Sequence, residues 1–285
     1  MHTHLISAAE LQALRQGNTP LVVFDCSFDL GQPDAADRFF AEQHIAGAQQ
    51  AHLDRDLSTH APGQAVNGGR HPLPQREALA QWLGRMGVGN DTQVVVYDRN
   101  GCHYCGRLWW MVKWLGHDAV AVLDGGLQAW LAAGGETETG TARTPTPRPF
   151  ALRAPLRQLA STEQVAQQLG RPTQTVVDAR AAPRYRGEVE PLDPVAGHIP
   201  GALNRPFVDN LGPDGRFKPA DQLRQEWQTL LGLRAPESVV HHCGSGVTAV
   251  PNVLAMELAG FAPVALYAGS WSEWCRTPGL PCAKG

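Results

Sequence analysis

The segment richest in chemical possibility is Ser238-Val-Val-His-His-Cys243-Gly-Ser-Gly-Val-Thr-Ala-Val-Pro-Asn-Val-Leu-Ala-Met-Glu-Leu258. Val247, Val250, Val253 or Leu254, and Leu258 follow helical spacing, and Pro251 fits only near a first turn. A helix should therefore begin just after the cysteine, and a strand should end just before it. Glycines at 244 and 246 permit positive φ, which turns successive backbone N–H groups inward as an anion nest beside the positive end of the helix dipole. A thiolate at Cys243 is stabilised in that setting, and so is a persulfide anion, in which a second sulfur carries the charge. An inert core cysteine is the alternative, but glycines on a strand-to-helix turn are the wrong surroundings for one. Two neighbouring chemistries drop out. A Cys-x5-Arg phosphate loop needs arginine where the chain has Ala249, and a Gly-x-Ser-x-Gly hydrolase elbow around Ser245 needs glycine at Cys243 and Val247.

Other reactive residues are less informative. Cys102-His-Tyr-Cys105 has the spacing of a redox pair or half a zinc site, but no second CxxC accompanies it. The apolar run Leu108-Trp109-Trp110-Met111 behind it favours packing. His44 and His198 recur in equivalent motifs and suit a shared folding role. His241 and His242 alternate along one strand, so that only one is expected to face the core, and neither reads as a metal ligand.

The elements that must carry these residues follow from an internal repeat. Val22-Val23-Phe24-Asp25 is echoed by Val176-Val177-Asp178, His44-Ile-Ala-Gly-Ala48 by His198-Ile-Pro-Gly-Ala202, Val94-Val-Val-Tyr-Asp98 by Val239-Val-His-His-Cys243, and Gly125 with Trp130 by Gly269 with Trp274. The offset between copies drops once, between residues 48 and 98, so the first half carries an extra segment, assigned to the Gly/Pro/His-rich residues 58–74. Short β-branched runs alternate with amphipathic stretches such as residues 75–86 and 220–231, which predicts βα units on a mainly parallel sheet. Ser161 and Gln164 form a capping-box pattern that starts a helix in the second half. The Gly/Thr/Pro-rich residues 136–150 read as a linker between domains at 1–135 and 151–285.

Composition bounds the rest. The chain has 285 residues, 43% hydrophobic and 18% charged, with a net charge of −3, and a mean hydropathy of −0.25. That describes a folded globular chain with no bulk charge to attract nucleic acid or an anionic membrane. Apolar stretches at residues 108–115 and 119–123 fall far short of the roughly 20 residues that span a bilayer. The N-terminal MHTHLISAAELQAL lacks the basic and long apolar regions of a secretory signal, so a cytoplasmic location is expected. Six cysteines in this length are too sparse for a disulfide framework and are expected as free thiols.

The loop Cys243-Gly-Ser-Gly-Val-Thr-Ala249, the duplicated His-Ile-x-Gly-Ala motifs and the Gly125/Gly269 turns together closely resemble the two-domain rhodanese family, most nearly its mercaptopyruvate-using branch. The resemblance covers nearly the whole chain. It implies an α/β fold of two tandem rhodanese-like domains, each a mainly parallel sheet flanked by helices, with Asp98 standing in the first domain where the second has Cys243. It implies a sulfurtransferase that carries sulfur from 3-mercaptopyruvate on Cys243 to a thiol, cyanide or thioredoxin-like acceptor, without a metal or organic cofactor, acting as a monomer. By the same resemblance Ser245 polarises the donor thiol, His71 and Asp56 complete a relay, Arg184 holds the donor carboxylate, and Gly244, Gly246, Val247 and Thr248 line the site. Gly244 and Ser245 replace the Arg and Lys usual in the thiosulfate-preferring branch. The chain departs from the branch in one place: Glu188-Val-Glu-Pro-Leu-Asp193 lacks its second arginine, for which Arg70, Arg186 and Arg205 stand as alternatives. Thiosulfate transfer and a non-enzymatic persulfide carrier are the competing readings.

Overall fold

The computed structural model describes residues 1–285 and divides into two compact units. The first comprises Met1–Gln64, Pro74–Leu156 and Pro213–Arg216, and the second Ala65–Leu73, Arg157–Gly212 and Phe217–Gly285. In the first, five strands lie in the spatial order Leu5–Ile6, Val120–Leu123, Gln93–Tyr97, Leu21–Asp25, Gln49–Gln50, every neighbouring pair parallel. In the second, Ala265–Leu266, Val239–His242, Thr175–Asp178 and Leu203–Asn204 form a parallel sheet in that order. The repeat extends to small details. His44–Ile45 pairs antiparallel with Thr137–Glu138, and His198 makes the matching antiparallel bridge to Ala283. Residues 136–150, read from composition as linker, therefore begin with a strand of the first unit.

A central parallel strand must be apolar on both faces, because helices cover both. Alternation along the strands distributes side chains accordingly. Val177 and Val239 join Leu223, Trp227 and Met256 on one face, while Val176 and Val240 join Ile199, Tyr267, Trp271 and Trp274 on the other. This corrects the expectation for the paired histidines: His241 and His242 are both fully buried, His241 edge-on to Trp227 and His242 tilted against Tyr267. Burial pushes His241 down to about 3, with the neighbouring His242 and Arg205 adding to the effect. His242 is lowered as well, by burial, although Asp178 pulls the other way.

The helices start where their caps dictate. Ser161 accepts the Gln164 N–H while Gln164 reaches back to Ser161, opening the helix Thr162–Gln167. The amphipathic stretches become Arg76–Arg85 and Ala220–Leu231. Pro251 falls in the first turn of Val250–Leu258, where its missing N–H costs no intrahelical bond. No helix is long and apolar enough to cross a membrane.

Candidate active site

Cys243 follows directly on the strand Val239–His242 and is almost completely buried. Backbone contacts clamp its loop. The Cys243 N–H donates to Ser270 Oγ at 3.1 Å, the Cys243 carbonyl accepts from Trp271 N–H at 3.0 Å, and the Gly244 carbonyl accepts from Ser272 N–H at 2.9 Å. Gly246 sits at φ +73°, where a Cβ would lie 2.2 Å from the Ala268 carbonyl oxygen, so only glycine fits. Gly244 does not take the positive φ expected of it. A Cβ at Gly244 would meet Arg70 Nη2 at 2.8 Å and Arg184 Nη1 at 3.5 Å, the far ends of two flexible side chains.

The first unit demonstrates what such a loop holds. Asp98, in the matching position, accepts the N–H groups of Asn100 at 2.9 Å and Cys102 at 3.0 Å on one oxygen, and of Tyr104 at 2.8 Å and Cys105 at 2.9 Å on the other. Four amides converge on one anion. Gly101 at φ 67° and Gly246 at φ 73° mark the same turn, although Cys102 takes a positive φ that its counterpart Val247 does not share. In the second unit the amides of Ser245, Val247 and Ala249 donate to no oxygen of the chain.

A second segment reaches this loop from far away in sequence. Within Ala65–Leu73, Val66 N–H donates to the Leu73 carbonyl and Leu73 N–H to Asn67 Oδ1, closing a compact loop. Gly68 N–H donates to Glu273 Oε1 at 2.9 Å and Arg70 N–H to Ser272 Oγ at 3.1 Å. Gly69, at φ +89°, permits the approach, since a Cβ there would lie 2.6 Å from Ser272 Oγ. So anchored, the loop brings His71 Nδ1 to 2.7 Å from Ser245 Oγ.

Charge surrounds the mouth of the loop. Arg184, in the short helix Ala182–Tyr185, pairs with Glu190 at 2.6 Å and approaches Asp193 at 3.6 Å. Arg70 pairs with Asp193, which Arg276 also approaches at 3.8 Å. Arg180 is structural: it bonds Asp178 and Glu190, donates to the Gly197 carbonyl and lies over Trp271. Burial opposes ionisation of Asp178, but His242 and Arg180 outweigh it and hold the carboxyl below its ordinary value.

Cys243, Gly244, Ser245, Gly246, Val247, Thr248, His71 and Arg184 thus gather in the second unit, together with Arg70. Arg186 is paired with Glu188 on the surface, and Arg205 is engaged by Asn210, Glu226 and the Trp227 ring. Of the three alternative arginines, Arg70 is the one beside Gly244. The available signal was its adjacency to His71 in the inserted segment. Asp56 lies in the first unit, where its carboxylate accepts the His52 N–H at 2.8 Å and burial raises its pKa. Cys102 and Cys105 are buried, with burial pushing the Cys105 thiol well up, as packing groups would be.

Comparison with known proteins agrees with the duplicated fold. The family described as "Rhodanese-like domain" matches residues 7–133 and 161–277. A Pseudomonas aeruginosa protein named "Probable 3-mercaptopyruvate sulfurtransferase" is 47% identical, the match covering 99% of this chain and 98% of that one. Human 3-mercaptopyruvate sulfurtransferase is 38% identical over 94% of this chain and 89% of its own, and mouse thiosulfate sulfurtransferase 35% identical over 93% and 89%. Among solved structures, 3-mercaptopyruvate sulfurtransferase from Leishmania major superposes with a TM-score of 0.82 at 30% identity, covering 98% of this chain and 76% of that one. With both halves matched and the Cys243 loop in the second, the chain belongs to the rhodanese family.

Proposed function

We propose that the protein is a sulfurtransferase that accepts sulfur from 3-mercaptopyruvate as a persulfide on Cys243, releases pyruvate, and passes the sulfur to a thiol or to cyanide. The observation that carries this reading is the 2.7 Å contact between His71 and Ser245, two residues from the nucleophile. A hydroxyl backed by an imidazole can take a proton from the donor thiol and return it to carbon, a service that thiosulfate does not need.

The steps balance without an external oxidant or reductant. The Cys243 thiolate attacks the donor sulfur; an S–S bond forms as the C–S bond breaks, and the electron pair passes to the enolate of pyruvate. The thiol proton travels through Ser245 and His71 to the enolate carbon, leaving pyruvate and a persulfide anion. Arg184 holds the carboxylate, and the backbone around Gly244, Gly246, Val247 and Thr248 stabilises the charged sulfurs. Cyanide then takes the outer sulfur as thiocyanate and restores the thiolate; a small thiol or a thioredoxin-like protein would leave carrying the persulfide. The protein would act as a monomer in the cytoplasm.

Thiosulfate is the second reading, favoured by the two guanidiniums near Gly244. Incubation with each donor followed by mass spectrometry tests both. Mercaptopyruvate should add one sulfur to Cys243 and turn over with cyanide, and Cys243→Ser should abolish loading and turnover. Preference for thiosulfate would reverse the donor assignment, and loading by neither would leave a carrier role.

A further inference from the structure

We propose that Arg70 is the second carboxylate-binding arginine of the donor site, gripping the 2-oxo acid together with Arg184. The assignment rests on the mercaptopyruvate reading and supplies the arginine that the stretch Glu188–Asp193 lacks.

Each guanidinium is divided between a protein carboxylate and the space above the nucleophile loop. Arg70 commits Nη1 to Asp193 and presents Nη2 2.8 Å from the point where a Gly244 side chain would begin. Arg184 commits Nη2 to Glu190 at 2.6 Å, and its Nη1 lies 3.5 Å from the same point. The uncommitted nitrogens therefore converge on the residue next to Cys243. Asp193 has a fully buried side chain and sits within 4 Å of both arginines, so it holds them as a pair. Gly244 does not adopt positive φ, and its missing side chain leaves room for both guanidiniums above the loop. A planar carboxylate offers two oxygens to such a pair, and arginine's rigid fork suits that match better than a lysine point charge. The insertion that carries His71 to Ser245 thus delivers a donor-recognition residue one position earlier.

The test compares 3-mercaptopyruvate with mercaptoacetone, which has the same thiol and ketone but no carboxylate. The ratio of kcat/KM for the two donors should fall about 10- to 100-fold in Arg70→Ala, mainly through KM for mercaptopyruvate. Arg70→Lys, which keeps the charge and the partner Asp193, should recover only part of the ratio. If mercaptoacetone proves too slow to measure, competitive inhibition by pyruvate gives the same reading, and its inhibition constant should rise by a similar factor. An unchanged ratio or inhibition constant overturns the assignment, as does an equal loss with both donors, which would mark Arg70 as a prop for the loop. A wild-type protein that uses thiosulfate but not mercaptopyruvate refutes the donor class and this assignment with it, a result read before any variant is made.

Discussion

His71 Nδ1 lies 2.7 Å from Ser245 Oγ across 174 residues of sequence. No local preference produces such a contact; it exists because Gly68, Gly69 and Arg70 are tied to Glu273 and Ser272 on one side and the Ser270 hydroxyl holds the Cys243 amide on the other. If the pair moves the donor proton, Ser245→Ala and His71→Ala should each lower kcat for mercaptopyruvate about 10²- to 10⁴-fold. The double variant should lose little more than either single one, because the two residues act as a unit. Discharge of a preformed persulfide to cyanide needs no such proton and should change far less. Equal losses in both half-reactions would assign the pair to loop structure.

Two glycines separate stability from site assembly. At Gly246 a methyl group would collide with the Ala268 backbone at 2.2 Å from its oxygen, at a φ of +73°, within a loop bounded by the central strand. Gly246→Ala should destabilise the fold by about 2 kcal/mol or more, read as a fall in the urea midpoint. At Gly69 the methyl group would meet Ser272 Oγ at 2.6 Å and the Gly269 carbonyl at 2.8 Å. The inserted loop can lift away to relieve this, so Gly69→Ala should cost about 1–2 kcal/mol and yet lower kcat/KM by at least about tenfold, since His71 and Arg70 move with it. A Gly69→Ala protein with normal kcat/KM would show that the loop's docking is not needed for turnover.

Much of this architecture is legible from local pattern. The capping box at Ser161, the helix starting behind the Cys243 loop and the duplication each depend on residues close in sequence or on motifs repeated in order, and all three appear in the fold. Contacts between distant segments are the part that is not legible. Arg70, Arg186 and Arg205 look alike in sequence, and only the anchoring of Gly68 and Arg70 distinguishes the first. Gly244 resembles a turn glycine because its neighbour Gly246 is one, whereas its φ is not positive and its open side faces two guanidiniums. The pair His241 and His242 suggests one inward and one outward side chain, and fails as a guide because both faces of a central parallel strand are covered.

Those two histidines carry a consequence for acid stability. The folded chain keeps His241 neutral with its pKa pushed down to about 3, and His242 is lowered too, whereas an unfolded chain titrates its histidines near 6.5. Above pH 6.5 neither state binds these protons, so burial of the neutral rings is fully tolerated. Below 6.5 the unfolded chain gains protons that the folded chain refuses, and stability falls with each further drop in pH until the folded-state values are reached. The Asp178 carboxyl, held low by His242 and Arg180, adds to the loss only below its unfolded value near 4, because the folded state then resists protonation that the unfolded state accepts. Unfolding midpoints in urea should therefore decline from pH 6.5 to pH 4. His241→Gln should remove about one proton's share of that slope, roughly 1.4 kcal/mol per pH unit, whatever its cost at pH 7. An unaltered slope in the variant would mean that His241 accepts a proton inside the fold, and that the T-shaped contact with Trp227 accommodates a charged ring.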